Sequence, residues 1–451
     1  MNLASVIMTQ LMAGNKIFPK VLVIGQTFSK TGGGGITISN LFSEWPKEKL
    51  AVATTSYIIN EMDINACTNH FQLSYNGKLH PFPLNIFLPT IKHGPVEVGE
   101  RPEQTEPVAA RHKPLKFLTL FAVLKAVLDF LGLYSFLYRI KVTRDFYDWV
   151  KEFDPDIIYS PLNTLEMLRM VSDIQHLTKK PVAIHMWDDW PSYINKPGLL
   201  YYYWEKTIDS EFRRLINNSA VLMGISESMR LEYLKRYNKE FIPFHNPIEV
   251  EKWLPYSKND WSKNEKFTVL YAGRVGIGMK DSIVEFANVV NELSGKLSDL
   301  VFEIQTNLFF AFENKIQLNH NIKHLQPMGY DQLPEKFSSV DLLLLPVDFD
   351  PVSINLIRLS FQTKISEYMI SGTPILVYAH KSTEVARNAT ENGWAYVVSE
   401  NSSEKLKEAV LKIYYDESLR KSLGTKAIET ARINEDACIV REKFRKLLLQ
   451  D

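Results

Sequence analysis

The sequence predicts an α/β protein with two doubly wound, Rossmann-like domains that face each other across a cleft. Short apolar runs alternate with segments of helical period, and this alternation starts at residue 21 and restarts at residue 267. In each half a glycine-bearing turn follows the first strand, at the sheet edge where such folds bind ligands. The length of 451 residues agrees with two domains.

The polar stretch over residues 251–266 separates the two halves and is interpreted as the linker between domains. Residues 1–250 then form the first domain, and residues 267–433 form the second. A final helix over residues 434–451 is expected to pack back across both domains.

Composition excludes several classes of protein. The 52 basic and 52 acidic residues balance, so no net field attracts nucleic acid. Cys67 and Cys438 match no metal or redox spacing and indicate a reducing compartment. No lysine or arginine precedes Lys16, which is atypical of a secretory signal. We therefore expect a cytoplasmic protein.

The first glycine-bearing turn is Thr-Gly-Gly-Gly-Gly at residues 31–35, between a strand over 21–25 and a helix predicted from 36 to about 45. Its spacing does not match the dinucleotide fingerprint. Because glycine lets a ligand approach backbone N–H groups closely, Gly33 and Gly34 are candidate donor-binding residues. A flexible connection is the alternative.

The most apolar window is residues 117–138, within a helical segment over 115–150. Basic residues flank it at positions 111, 113, 116, 139 and 141. A helix pair packed on the first sheet is the favoured interpretation. A helix in a membrane interface remains open, with peripheral contact through 111–141 at the inner membrane face. Gly132 and two central charges argue against a spanning helix.

A strand is predicted over 181–186. It carries His185 near its end and is followed closely by Asp188 and Asp189. These side chains lie at the carboxyl end of a predicted strand, where doubly wound sheets carry their chemistry. They are therefore candidate catalytic residues. A structural histidine is the alternative.

The second domain begins with a strand over 267–273, and the turn after it carries Arg274 and Lys280 toward a helix from residue 281. Two cations near a helix N-terminus suit a diphosphate. The alternative is a solvated basic loop.

The stretch over residues 360–376 predicts a strand–loop–helix–strand unit with the apolar run 341–346 before it. The helix opens with Ser360, Gln362 and Thr363, which offer hydroxyl, amide and backbone donors. Lys364 follows them, and Glu367 shares a face with Lys364. A cation for phosphate and a carboxylate for sugar hydroxyls suit a nucleotide diphosphate. An ordinary amphipathic helix with an ion pair is the alternative.

Together these motifs, with His-Asn-Pro-Ile at 245–248, occur in an order that resembles the retaining, family 4-like glycosyltransferases of the GT-B fold. The resemblance implies a metal-independent hexosyltransferase without a cofactor, for which a UDP-sugar is the expected donor. Arg274 and Lys280 would hold the diphosphate, and Glu367 the ribose. The first domain would bind a glycan or lipid-linked acceptor of polysaccharide biosynthesis, with His185 near the transferred sugar.

The sequence departs from the family pattern at position 359. An acidic residue is usual eight positions before Glu367, and this chain has Leu359. Asp350 is one candidate substitute. Asp348 and Asp350 also form an Asp-x-Asp motif, which in another glycosyltransferase architecture holds a metal, but one such match is expected by chance.

Two further functions stay open on the sequence. A nucleotide-sugar epimerase or a phosphorylase could use the same architecture. A two-lobed protein that closes on a sugar without chemistry is the alternative from another class.

Overall fold

The computed structural model describes residues 16–29, 33–55, 62–75, 82–84, 92–96, 115–133, 139–192, 198–276, 278–307 and 315–450. Two mainly parallel sheets, each with helices packed on it, confirm the predicted fold class. The buried cores of both sheets are rich in Val, Ile, Leu and Phe, as expected for parallel strands covered on both faces.

The first sheet has the strand order β4-β3-β2-β1-β5-β6-β7-β8. Only β4 runs antiparallel to its neighbour, β3. The strands are β1 (Val21–Ile24), β2 (Leu50–Thr55), β3 (Asn69–Leu73), β4 (Gly94–Val96), β5 (Ile157–Ser160), β6 (Val182–Met186), β7 (Val221–Gly224) and β8 (Ile242–Pro243).

The helices that go with the first sheet follow its strands in chain order. They are α1 (Gly33–Leu41), α2 (Leu115–Phe130), α3 (Arg144–Phe153), α4 (Leu165–Thr178), α5 (Tyr201–Asn218) and α6 (Glu227–Tyr237). Thr143, Thr164 and Ser226 cap α3, α4 and α6 through their side-chain oxygens.

The second sheet is parallel throughout, in the order β11-β10-β9-β12-β13-β14. A short helix, α7 (Val250–Trp253), precedes it. The elements are β9 (Phe267–Ala272), α8 (Lys280–Leu293), β10 (Leu300–Gln305), β11 (Ile322–Leu325), α9 (Leu333–Ser339), β12 (Leu342–Pro346), α10 (Pro351–Ile357), α11 (Lys364–Ser371), β13 (Ile375–Tyr378), α12 (Glu384–Asn392), β14 (Tyr396–Val398), α13 (Ser403–Tyr415), α14 (Glu417–Asn434) and α15 (Ala437–Leu449).

Helix α1 begins earlier than predicted. We expected a loop through residue 35, but Gly33, Gly34 and Gly35 form the first turn of the helix. Close packing explains the glycines: a Cβ at Gly34 would lie 2.4 Å from the Trp187 ring, and one at Gly35 2.5 Å from the Ser29 Cβ. These two glycines let the helix approach its neighbours.

Helix α2 occupies the apolar window, but most of its described side chains are exposed, unlike those of a helix that is buried against a sheet. Leu120, Val123, Val127 and Phe130 are exposed, and Leu128 is buried. Residues 134–138 lie outside the described part of the chain. In the described residues no helix is both long and apolar enough to cross a membrane.

The end of α2 is anchored to the start of α5. The Trp204 Nε1–H donates to the Gly132 carbonyl at 2.7 Å, and the Leu199 N–H donates to the Phe130 carbonyl at 2.6 Å. Helix α2 is therefore held at its carboxyl end, while much of its apolar surface faces solvent.

The last helix, α15, packs against the first domain. The buried Phe444 ring lies 5.0 Å from the Phe42 ring and 5.7 Å from the Phe244 ring, in edge-to-face arrangements. Its ring also contacts Trp45 and Tyr159. The chain thus leaves the first domain, builds the second, and returns to the first.

We expect Phe444→Ala to lower the free energy of unfolding by about 3–5 kcal/mol, because truncation leaves a cavity among four aromatic rings. Urea unfolding measures the change, and Lys443→Ala, at the exposed neighbouring position, serves as the control. Equal stability of the two variants would contradict the docking of α15.

Candidate functional site

The carboxyl end of the second sheet brings together two segments that are distant in sequence. Strand β9 ends at Ala272, and the Lys364 Nζ, at the start of α11, donates to the Ala272 carbonyl at 3.3 Å. The same ammonium lies 4.1 Å from the centroid of the Tyr271 ring. Lys364 therefore connects the Gly273–Arg274 turn to α11.

Gly273 is required in this turn for two reasons. Its φ of 145° lies in a region that side chains rarely adopt. A Cβ there would also lie 3.0 Å from the Lys364 Nζ. A larger residue would strain the backbone and displace the ammonium.

Burial changes the electrostatics of α11. It lowers the pKa of Lys364 to about 7, because the charged form is desolvated, and the nearby Glu367 only partly opposes this shift. Burial likewise raises the pKa of Glu367 to about 7, while a hydrogen bond from Tyr330 and the charge of Lys364 act in the opposite direction. A charged ligand beside these groups would therefore change the protonation of Lys364 and Glu367 near neutral pH.

Arg274 and Lys280 lie on the turn that follows β9. Arg274 is exposed, and Lys280 is half-buried as the first residue of α8. Within the described parts of the chain, neither side chain forms an ion pair with a carboxylate. Both are therefore available to an anion.

The residues before α11 leave its N-terminus uncapped by a side chain. Thr363 has helical dihedral angles and makes no side-chain cap, although its carbonyl accepts from the Asn246 Nδ2 at 3.3 Å. The Ser360 N–H donates to the Ile357 carbonyl. The buried amide atoms of Gln362 have no hydrogen-bond partner among the residues that the structure describes. The sequence already indicated Gln362 as an amide donor at the start of this helix.

Asp348 and Asp350 each serve a separate helix. The Asp350 Oδ1 accepts from the Val352 and Ser353 N–H groups, both at 3.0 Å, and caps α10. The Asp348 Oδ1 accepts from the Ser282 N–H at 2.8 Å in the first turn of α8. Asp350 is thus engaged as a cap, which argues against its use as the missing acid. The described residues contain no group of three or more candidate metal ligands.

Gly33 and Gly34 lie at the start of α1 in the first domain. Among the described residues, a Cβ at Gly33 would meet nothing within 4 Å, whereas Gly34 packs on Trp187. The Trp187 Nε1 is buried and has no hydrogen-bond partner in the described part of the chain. Of these two glycines, only Gly33 therefore has open space at its Cβ position among the described residues.

His185 is fully buried, and both of its ring nitrogens have partners. Nε2 lies 2.8 Å from the Phe244 carbonyl oxygen, which can only accept, so Nε2 carries the proton. Nδ1 then accepts from the Tyr159 hydroxyl at 2.7 Å. Burial lowers the pKa of His185 to about 4, so the ring is neutral. This placement differs from the expectation that His185 faces a transferred sugar.

Asp189 is buried in a network of ion pairs. Arg236 donates to both of its oxygens, at 2.8 and 3.0 Å, and the Tyr233 hydroxyl donates at 3.0 Å. Arg358 of the second domain lies 3.6 Å from Asp189. Asp188 accepts from the Trp190 N–H at 3.3 Å. Asp189 therefore anchors a contact between domains, a role that depends on Arg358, which the sequence analysis did not single out.

The match to a protein family lies in the second domain. Residues 266–416 match the family model described as "Glycosyl transferases group 1". No curated protein matches the sequence significantly.

Solved structures match nearly the whole chain. Anabaena HepE in complex with UDP-glucose is 14% identical with a TM-score of 0.60, over 96% of this chain and 100% of that chain. Sucrose-phosphate synthase from Thermosynechococcus elongatus is 11% identical with a TM-score of 0.60, over 95% and 98%. A glycosyltransferase from Rickettsia africae is 11% identical with a TM-score of 0.58, over 97% and 100%. The predicted GT-B fold is thereby confirmed.

We expect His185→Ala to lower the free energy of unfolding by about 2–4 kcal/mol, because it leaves a cavity and two buried polar groups without partners. Urea unfolding tests this, with His176→Ala on the exposed end of α4 as the control. If stability is unchanged while turnover is lost, His185 acts in catalysis instead.

Proposed function

We propose that this GT-B protein, whose second domain matches the group 1 glycosyl transferases, transfers a hexose from a UDP-sugar to a saccharide acceptor with retained configuration. The observation that carries the proposal is the meeting of the Gly273–Arg274 turn with the uncapped start of α11, at the buried ammonium of Lys364. The glycine-bearing turn and the start of the helix therefore lie next to each other.

The charges at this position suit a leaving diphosphate. Arg274 and Lys280 carry no competing carboxylate among the described residues, and the first N–H groups of α11 are not capped by a side chain. As the bond between the anomeric carbon and the phosphate oxygen breaks, negative charge grows on that oxygen. Preorganised cations and helix N–H groups stabilise this charge in a shielded site.

Glu367 is the proposed ribose ligand. Its carboxyl is buried beside Tyr330, and a carboxylate accepts hydrogen bonds from a pair of vicinal hydroxyls. The complex of HepE with UDP-glucose supports uracil as the base of the donor.

In this proposal the acceptor attacks the anomeric carbon from the same face that the diphosphate leaves. The configuration at this carbon is therefore retained. The acceptor hydroxyl oxygen forms its bond to the anomeric carbon as the donor bond breaks, and its proton passes to the departing phosphate oxygen. Because Arg274, Lys280 and Lys364 supply the positive charge, we propose that no metal is needed. The engagement of Asp348 and Asp350 at two separate helices supports this.

We expect Arg274→Ala, Lys280→Ala and Glu367→Ala each to weaken UDP binding about 30- to 900-fold, since a charge-assisted contact in a shielded site contributes ~2–4 kcal/mol. Isothermal titration with UDP measures this, and Lys296→Ala, an exposed lysine just beyond the other end of α8, is the control. Unchanged binding in all three variants would show that the donor site lies elsewhere.

Two further arms of this experiment distinguish alternatives. Turnover of UDP-glucose should survive EDTA, whereas activity that is lost in EDTA and restored by a divalent ion would favour the Asp-x-Asp interpretation. Conversion of the labelled donor to another UDP-sugar without acceptor would indicate an epimerase. Binding of free sugar with no turnover would indicate a binding protein.

We propose that the acceptor is a glycan or lipid-linked saccharide of polysaccharide biosynthesis and that the first domain contacts the inner membrane face through residues 111–141. Exposed fractions of 55% at Val123 and 61% at Phe130 support an interfacial helix. The 2.6 Å pair of Lys125 and Asp129 keeps the two charges together on one side. Tyr202 and Tyr203, just after the Leu199–Phe130 contact, are also exposed, and tyrosine is frequent at membrane interfaces.

We expect the protein to co-float with vesicles that contain anionic lipid, and salt to weaken this binding. Val123→Asp with Phe130→Ser should reduce binding about tenfold or more, because both side chains would enter the apolar boundary. Leu177→Asp, at an exposed leucine on α4, is the control. Absence of co-flotation for the unmodified protein would contradict the membrane contact.

A further inference from the structure

The chain crosses between its two domains twice, and the two crossings contact each other. The Ile248 N–H on the outward crossing donates to the Glu435 carbonyl at 2.8 Å. The Ala437 N–H on the return crossing donates to the Ile248 carbonyl at 2.9 Å. Any change in the relative position of the domains must act on this pair of segments, because both segments cross the same boundary.

A side-chain pair joins the same two crossings. The His245 Nδ1 lies 2.6 Å from the Glu435 Oε2, and the two side chains are exposed by 22% and 3%. Residues of the second domain also contact both side chains of this pair. The His245 ring packs on Phe361, with centroids 4.5 Å apart, and the Ser366 hydroxyl lies 3.2 Å from the same Glu435 oxygen.

Ser366 connects this pair to the donor site. It belongs to α11, directly before Glu367, and its hydroxyl also lies 2.9 Å from the Asn246 carbonyl oxygen. The Asn246 side chain in turn accepts from the Asn40 Nδ2 in α1 at 2.8 Å and donates to the Thr363 carbonyl. Helices α1 and α11, one from each domain, thus meet at the same crossing.

We propose that His245, Glu435 and Ser366 are positioning residues that set the alignment of α11 against the first domain. Sugar transfer joins a donor on one domain to an acceptor on the other, and a displacement of about 1 Å can reduce such a rate on the order of 100-fold. None of the three residues needs to touch either substrate. Their effect on turnover rests on the proposed sugar transfer, whereas their effect on the crossings does not.

The charges around His245 make the alignment depend on pH. Burial disfavours the charged ring, but Glu435, which also accepts its hydrogen bond, and the more distant Glu384 raise the pKa of His245 overall. His185 faces it from β6 and is neutral. Arg441, in the same region of α15, is paired with Glu249. The charged pair is therefore present at low pH and is lost as pH rises through the raised pKa of His245.

Hydrogen exchange at the two crossings tests the proposal directly. We expect His245→Gln and Glu435→Gln each to speed exchange about tenfold in peptides that cover 245–250 and 434–440, after correction for intrinsic rates. Peptides that cover the strands of the second sheet should not change. In the unmodified protein, protection at both crossings should fall as pH rises above the His245 pKa, and His245→Gln should abolish this dependence. His176→Gln is the control.

The kinetic readout separates positioning from a merely structural role. With UDP and UDP-glucose as probes, both variants should bind UDP with unchanged Kd while turnover falls about tenfold or more. Unchanged exchange at the crossings, or loss of UDP affinity equal to the loss of turnover, would overturn the proposal. If the unmodified protein does not bind UDP, the proposed function fails, and the exchange experiment still decides the role of these residues.

Discussion

The burial of α11 is the constraint on which much of the second domain depends. Every residue from Ile365 to Ser371 is buried, so each polar group on this helix needs a partner inside the protein. The Tyr368 hydroxyl accepts from the Ala272 N–H at 2.9 Å, and the Lys364 ammonium donates to the Ala272 carbonyl. Helix α11 is thereby fixed to the end of β9, which is where the glycine-bearing turn begins.

The same burial gives the proposed donor site its chemistry. An ammonium and a carboxyl one helical turn apart, each with a pKa near 7, respond strongly to an added charge. A diphosphate beside Lys364 would favour the ammonium form and would offset the cost of its desolvation. The opposite end of α11 stops at Gly372, whose φ is 72° and where a Cβ would lie 2.6 Å from Ile428. The packing of α11 thus determines both where the helix ends and the pKa values of its charged groups.

The elements that local patterns encode were predictable. The apolar run that forms β12, the helical spacing in α11 and the glycine at its end specify that unit without knowledge of distant residues. The GT-B fold was likewise predictable from the alternation of strands and helices in two halves. Strand β3 was missed because its buried His70 and Gln72 interrupt the apolar pattern on which strand prediction depends.

Side-chain roles that depend on long-range contacts were not predictable. The position of His185 at a strand end suggested catalysis, but its partners Tyr159 and Phe244 come from other elements. Asp189 likewise gains its role from Arg236 and Arg358, which lie far along the chain. The sequence analysis quoted His245 only as part of a motif, because Glu435 is brought beside it by the return of the chain.

We propose that a nucleotide diphosphate binds where the Gly273–Arg274 turn meets α11. A crystal structure of the complex with UDP tests it most directly, by the distances from the two phosphate groups to Lys364, Arg274 and the first N–H groups of α11. We expect at least one phosphate oxygen within hydrogen-bond distance of these donors and the ribose beside Glu367. Electron density for UDP at any other position, with this junction empty, would contradict it.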